Sequence, residues 1–270
     1  MSAARALPAP AAFSTIRNGV TCTGPDTPVA RALALRVQTN VGPALRAAGV
    51  RIAFAADDTA SGIRCVAHPT VHYDSASIVK VAMVAALLDL RRSAHRTLSS
   101  TERAWAKAAI TRSDNAAASA LWRRVGGSAG MRRFFARAGM TQTVPGSGSV
   151  WGLTQVTAGD QLTLLRRVTR PGLLASADRL YLQGLMASVV QGQRWGVPVG
   201  APALASVGLK NGWLHRATRG WRIHSMGWVR LATTTYDVVI LSDGNRSLSG
   251  GIQRVDTVAR AVHAALGRRP

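Results

Sequence analysis

Ser77 and Lys80 stand three residues apart at the head of an apolar run, Val81-Ala82-Met83-Val84-Ala85-Ala86-Leu87-Leu88. On a helix, positions i and i+3 share a face about one turn apart, so this spacing brings a hydroxyl within reach of an amine. A serine hydroxyl becomes a nucleophile when a neighbouring base accepts its proton. Lysine can be that base once burial or a nearby cation makes it neutral, whereas arginine never gives up its charge. Of 34 basic residues only Lys80, Lys107 and Lys210 are lysines, which leaves 31 arginines. Lys107 lies in a polar helical stretch and reads as a solvated side chain. Lys80 sits on a helix apolar enough to require a polar partner. The helix start beneath Ser77 also offers unpaired amides and the positive end of the helix dipole, which favour an oxyanion at an attacked carbonyl.

Two further clusters carry groups of the same kind. Ser113-Asp114-Asn115 falls where one helical stretch ends and the next begins, and Lys210-Asn211-Gly212 closes a strand pattern. By itself the first is as readily an ordinary polar turn between helices.

The elements that must position these clusters are legible from periodicity. Residues 1–25 read as a loose tail. Asp26 is placed to cap an amphipathic helix over Pro28 to Ala48, stopped by Gly49. Val50, Ile52 and Phe54 alternate with smaller or charged residues, and the Asp57 to Gly62 turn leads into Ile63 to Ala67, which predicts a β-hairpin. Ile78 to Leu90, Thr101 to Ile110, Ala116 to Val125, Met131 to Ala138, Ala158 to Val168 and Ala175 to Val189 read as helices. Strands return over Ala205 to Lys210, Ile223 to Leu231 and Tyr236 to Leu241, before a closing helix, Ile252 to Leu266. The expected architecture is an α/β sandwich: an antiparallel five-stranded sheet flanked by helices, with a large all-helical insert. Residues 26–69 and 200–270 would make the α/β lobe and residues 70–199 the helical lobe, with a cleft between the two.

The chain has 270 residues, 47% hydrophobic and 17% charged, enough for a proper core. Its formal charge of +22 favours polyanions, anionic cell-wall polymers among them. Yet the arginines are scattered, without a basic arm, a recognition-helix pattern or an aromatic RNA motif, so nucleic-acid binding is not expected. No metal-ligand cluster and no cofactor motif is present in the sequence. Cys22 and Cys65, the only cysteines, could form one disulfide or remain two buried thiols. Met1 to Phe13 lacks the uninterrupted apolar run of a signal peptide, and no transmembrane run is visible.

The three clusters, in this order and each at an element boundary, are the serine-to-lysine, Ser-Asp-Asn and Lys-Thr-Gly set of class A β-lactamases and penicillin-binding proteins. Over roughly residues 26 to 268 the chain resembles that family of penicillin-recognising serine hydrolases. The resemblance implies that Ser77 is acylated, Lys80 accepts its proton, and Ser113 relays a proton toward the leaving nitrogen with Lys210 easing negative charge around it. It further implies that Asn115 holds the substrate's side-chain amide and that Asp114 orients the turn. Asn211, in place of threonine, and Gly212 would face the substrate carboxylate, and the backbone amides of Ser77 and Trp213 would bind the oxyanion. Substrates implied are a β-lactam, a D-alanyl peptide or an ester, handled by a monomer without cofactor. The family is usually secreted or in the cell envelope.

Two departures bear on activity. The stretch from Arg91 to Ile110 is shorter than in familiar members, which should open the cleft. In those members a loop glutamate activates the water that releases the acyl group, but Met140 to Thr157 holds no Asp or Glu, and Glu102 is the only glutamate in the chain. Glu102, three residues after Ser99, fits a capping box, and Asp160 fits the first turn of a helix. Gln155 can position a water but cannot take its proton. Acylation is expected to be intact and β-lactam hydrolysis slow, which leaves open an enzyme for other acyl groups or a sensor that stays acylated.

Overall fold

The computed structural model describes residues 11–46 and 50–267. Along the strand Arg51–Asp58 (β3), Ile52, Phe54 and Ala56 face one apolar core while Ala53 and Ala55 face another. Such strict alternation in a strand buried on both faces requires a layer on each side of the sheet. β3 turns back into Arg64–Ala67 (β4), as the hairpin pattern predicts.

The remaining strands extend the sheet on both sides. β1 (Ala12–Arg17) and β2 (Val20–Pro25) form a hairpin that adds to β4. At the other end lie Ser206–His215 (β7), Trp221–Arg230 (β8) and Thr235–Asn245 (β9). The order is β1-β2-β4-β3-β9-β8-β7, all antiparallel, with β7 an edge strand. Seven strands therefore replace the expected five. The difference is the hairpin at residues 12–25, which the composition suggests is a tail. Its turn, Asn18-Gly19, has both residues at positive φ, 51° and 76°, and Phe13, Val20 and Cys22 are buried under the first helix. The opening residues of the chain, 1–10, lie outside the described residues. Cys22 and Cys65 face each other across β2 and β4 and are joined as a disulfide.

The first helix, Pro28–Ala44 (α1), is capped by Thr27, whose Oγ1 accepts from the Ala30 amide at 3.2 Å. Asp26, expected there, instead pairs with Arg31. Ala48 and Gly49, where the helix was expected to end, lie outside the described residues; it closes at Ala44, one residue after Pro43. With Leu248–Leu266 (α8) it covers one face of the sheet.

The opposite face carries the helical block. A single 3₁₀ turn, Ala76–Ile78, leads into Val79–Ser93 (α2), buried from Val79 through Asp89. Around it pack Ser100–Thr111 (α3), Asn115–Arg124 (α4), Gly127–Ala138 (α5), Ala158–Thr169 (α6) and Ser176–Ala187 (α7). Tyr73–Asp74 (β5) pairs with Gln155–Val156 (β6), which anchors the loop before α6 to the segment before Ser77.

Candidate active site

Ser77 lies half-buried in the 3₁₀ turn ahead of α2, and the residue before it, Ala76, is held at φ 47°. A non-glycine residue there is strained and persists only where its surroundings enforce it. The enforcing neighbour is β7. A Cβ placed on Gly212 would stand 2.9 Å from the Ser77 amide nitrogen, 3.0 Å from that of Ile78 and 3.1 Å from the Ser75 carbonyl oxygen. Only glycine lets the edge strand approach the turn this closely. Lys210-Asn211-Gly212 thus sits in the middle of a ten-residue strand, not at its end, because pairing with β8 continues from Lys210↔Met226 to His215↔Trp221.

Lys80, in the first turn of α2, is fully buried. Its Nζ donates to the Ser113 carbonyl at 2.6 Å, to Asn115 Oδ1 at 2.9 Å and to Ser113 Oγ at 3.2 Å. Lys210, equally buried, donates to the same Ser113 Oγ at 3.0 Å and to its neighbour's carbonyl, Asn211 O, at 2.8 Å. Two amines therefore converge on one hydroxyl. Ser113 reaches between them because it takes φ 58° in the turn after α3. Asp114 next to it caps α4, accepting from the Ala117 amide at 2.7 Å.

Burial lowers the Lys80 pKa to about 8, with Asp114 opposing part of the shift. Burial, and then the charge of Lys80, push Lys210 well below its ordinary value. Desolvation and mutual repulsion both favour a neutral amine, the form that can accept a proton. Among the described residues Lys80 makes no hydrogen bond to Ser77; its amine leans toward the start of α4. Such contacts often form only once substrate is bound.

Other expected contacts go elsewhere. Asn211, read as facing a substrate carboxylate, is fully buried and turned away from the cleft, its Nδ2 donating to the carbonyls of Gln193 at 2.8 Å and Trp195 at 2.9 Å. In a strand, neighbours point to opposite faces, so with Lys210 directed at Ser113 the next side chain points to the other side of the sheet. Gln155 spends its amide group on Asp74 Oδ1 at 2.5 Å and the Leu153 carbonyl at 3.1 Å, leaving no donor for a water. Trp213, half-buried beyond Gly212, packs against Trp195 with ring centres 6.2 Å apart and planes tilted by 60°.

Two groups at the site carry no motif signature. Trp151, in the acid-free loop, lays its ring 4.9 Å from Lys80 Nζ and donates its indole N–H to Ser119 Oγ at 3.1 Å. Asp74 ties the turn of Ser77 to the loop through Gln155, and to β8 through Arg222 Nε at 3.1 Å. His224 Nε2 donates to the Asp74 carbonyl at 2.8 Å while its Nδ1 accepts from the Ser242 amide at 3.2 Å. Burial lowers its pKa to about 4, which keeps it neutral in that tautomer.

The other carboxylates near the helical block are committed to structure. Glu102 forms the expected capping box with Ser99 and is gripped by Arg91 and by Arg124 at 2.7 Å. Asp160 Oδ2 accepts from the Gln142 amide at 2.9 Å and from Thr143 Oγ1 at 2.7 Å. Among the described residues no three His, Cys, Asp or Glu side chains are grouped to hold a metal ion.

Residues 97–266 match the sequence model of the beta-lactamase enzyme family. No curated protein matches the chain. Among solved structures, it is similar to a representative class A beta-lactamase from Bacteroides cellulosilyticus, with 16% identity over 87% of this chain and 99% of that one, at a TM-score of 0.76. PBP-A is equally similar in fold, with 19% identity over 87% of this chain and 97% of the other, again at 0.76. The putative class A beta-lactamase PenP from Rhodopseudomonas palustris gives 21% identity over 87% and 100%, at 0.73.

Proposed function

Given that the chain belongs to the beta-lactamase enzyme family of serine hydrolases, we propose that Ser77 is its nucleophile and forms an acyl-enzyme with a β-lactam, a D-alanyl peptide or an ester. The observation that carries this reading is the convergence of Lys80 and Lys210 on Ser113 Oγ beside Ser77.

In the proposed sequence, neutral Lys80 takes the proton as Ser77 Oγ attacks the carbonyl. The close approach of Gly212 to the Ser77 turn supports an oxyanion site built from the Ser77 and Trp213 amides, where one donor is worth about 100- to 1000-fold in rate. The C–N or C–O bond then breaks, and the leaving atom takes a proton through the Ser113 hydroxyl, which Lys80 or Lys210 replenishes. Asn115, its Oδ1 held by Lys80, keeps its amide N–H groups for the donor's acyl portion.

Release of the acyl group is the slow half of this proposal. The loop from Met140 to Thr157 has no carboxylate, the Gln155 amide nitrogen is engaged by Asp74 and Leu153, and Trp151 covers one side of Lys80. These observations favour a long-lived acyl-enzyme. They also support a second reading, a penicillin-binding or sensing protein that stays acylated. A chromogenic cephalosporin tests both: the expected trace is a burst of one equivalent of colour per protein followed by a much slower phase. Sustained rapid turnover would overturn the claim of slow release, and a missing burst would remove β-lactams from the proposed substrates.

A further inference from the structure

The contacts of Lys80 leave no position for Ser77. An ammonium offers three N–H groups, and a neutral amine two with one lone pair. The Ser113 carbonyl and Asn115 Oδ1 can only accept, so two N–H groups are committed, and the remaining position faces the Ser113 hydroxyl. The indole ring of Trp151 stands 4.9 Å from the same nitrogen. That ring is fixed from two directions. Its N–H donates to Ser119 Oγ on α4 at 3.1 Å. Its backbone opens the 3₁₀ turn Trp151–Leu153, where Thr154 Oγ1 donates to the Trp151 carbonyl at 2.8 Å and the Thr154 carbonyl accepts from the Ser75 amide at 2.8 Å. The ring is thus tied both to α4 and to the turn that carries Ser77. The charged groups facing Lys80 are Asp114 at the head of α4, which favours the ammonium, and Lys210 on β7, which opposes it. The loop brings no carboxylate, so what it adds at the amine is the face of the indole.

We propose that Trp151 is a positioning residue that holds Lys80 as an ammonium leaning toward α4, and that acylation begins when the amine leaves these contacts for Ser77. This rests on the reading of Lys80 as the base for Ser77 and names what restrains it at rest. The face of an indole attracts a cation, more strongly where the cation is desolvated. An amine attracted in its charged form keeps its proton to higher pH. Burial and Trp151 therefore act in opposite directions: burial makes the neutral amine accessible near neutrality, and the ring keeps it scarce. Removing the ring while keeping the site apolar leaves burial unopposed on that side, so the amine loses its proton at lower pH.

Because Lys80, Lys107 and Lys210 are the only lysines, their Cε signals can be followed individually by carbon-13 NMR as the full-length protein is titrated without substrate. In Trp151→Leu the Lys80 titration is expected to move down by about half to one pH unit, with a smaller shift in Trp151→Phe, which keeps a ring, and none at Lys107, exposed on α3. Trp151→Met, a second apolar replacement without a ring, should repeat the leucine result and decides the matter if Trp151→Leu does not fold. The rate of acylation by benzylpenicillin at pH 7 should rise about three- to fivefold in the ringless variants, while the plateau near pH 9 stays where it is. A Lys80 titration that is unmoved or raised in both ringless variants, or shifts of equal size with and without a ring, would overturn the proposal. The titration needs neither substrate nor Ser77, which keeps two failures apart. If it moves as expected but the pH profile of acylation does not follow, the reading of Lys80 as the base falls, and the hold of Trp151 on the amine stands.

Discussion

The pH dependence of acylation follows from the burial of Lys80. With its pKa at about 8, roughly 9% of the amine is neutral at pH 7 and roughly 90% at pH 9, against about 0.03% at pH 7 for an ordinary lysine. The buried site thus raises the population of competent base about 300-fold near neutrality. The second-order rate of adduct formation, followed by quenched-flow mass spectrometry, should climb almost tenfold per pH unit up to about pH 7, about fivefold more by pH 8, and level off by about pH 9. Lys80→Arg preserves charge and bulk but cannot deprotonate. It should lower the rate by about 100- to 10,000-fold, the span of general-base catalysis, and abolish the climb. A rate flat from pH 6 to 9 in wild type, or a climb that persists in Lys80→Arg, would refute Lys80 as the base.

Gly212→Ala should drive a methyl into the Ser77 and Ile78 backbone amides; acylation is expected to fall about 100-fold or more, as on loss of an oxyanion donor, and the melting temperature to fall with it, because buried backbone must shift to admit the methyl. Glu102→Gln leaves Arg91 and Arg124 facing a neutral amide at a buried helix cap, and urea titration should show a loss of about 1–3 kcal/mol. Burial opposes ionisation of Glu102, but hydrogen bonds from Arg91, the Ser99 amide and Arg124 prevail and hold its pKa at about 2, so the contribution is complete above about pH 5 and fades as pH falls toward 2. Asp237 behaves oppositely: burial, then its neighbour Asp57, push its pKa up to about 8. The folded state holds that proton between about pH 4 and 8 while the unfolded chain has lost it, so stability declines as pH rises through this window. Asp237→Asn, which can still accept from Thr169 Oγ1, should remove the decline and stabilise the protein at pH 8 by at least about 1.4 kcal/mol, one pKa unit's worth.

Local patterns gave the helices and the motif positions, because capping boxes, apolar periodicity and a lysine inside an apolar run are local signals. Ser99 and Glu102 cap α3 as their spacing suggests, and Lys80 and Lys210 do meet at Ser113. What could not be read locally was set by pairing across the sheet. β7 runs past Gly212 because β8 supplies partners for each residue up to His215. That same pairing fixes the alternation that turns Asn211 away from the cleft. The β1–β2 hairpin was within reach of the sequence, since Asn18-Gly19 is a strong hairpin signal; the Ala/Pro-rich residues before it concealed it. Trp151 and Asp74 had no local signature at all. Their places depend on a loop folding back over α2 and on contacts with residues 71 and 148 positions away, Lys80 and Arg222.

The central claim is that Ser77 takes the acyl group. Incubation with benzylpenicillin, followed by intact-mass measurement and peptide mapping, tests it most directly. A single adduct of the mass of the opened penicillin is expected, carried by the peptide containing Ser77, long-lived, and absent from Ser77→Ala. An adduct of the same mass that survives Ser77→Ala would contradict it.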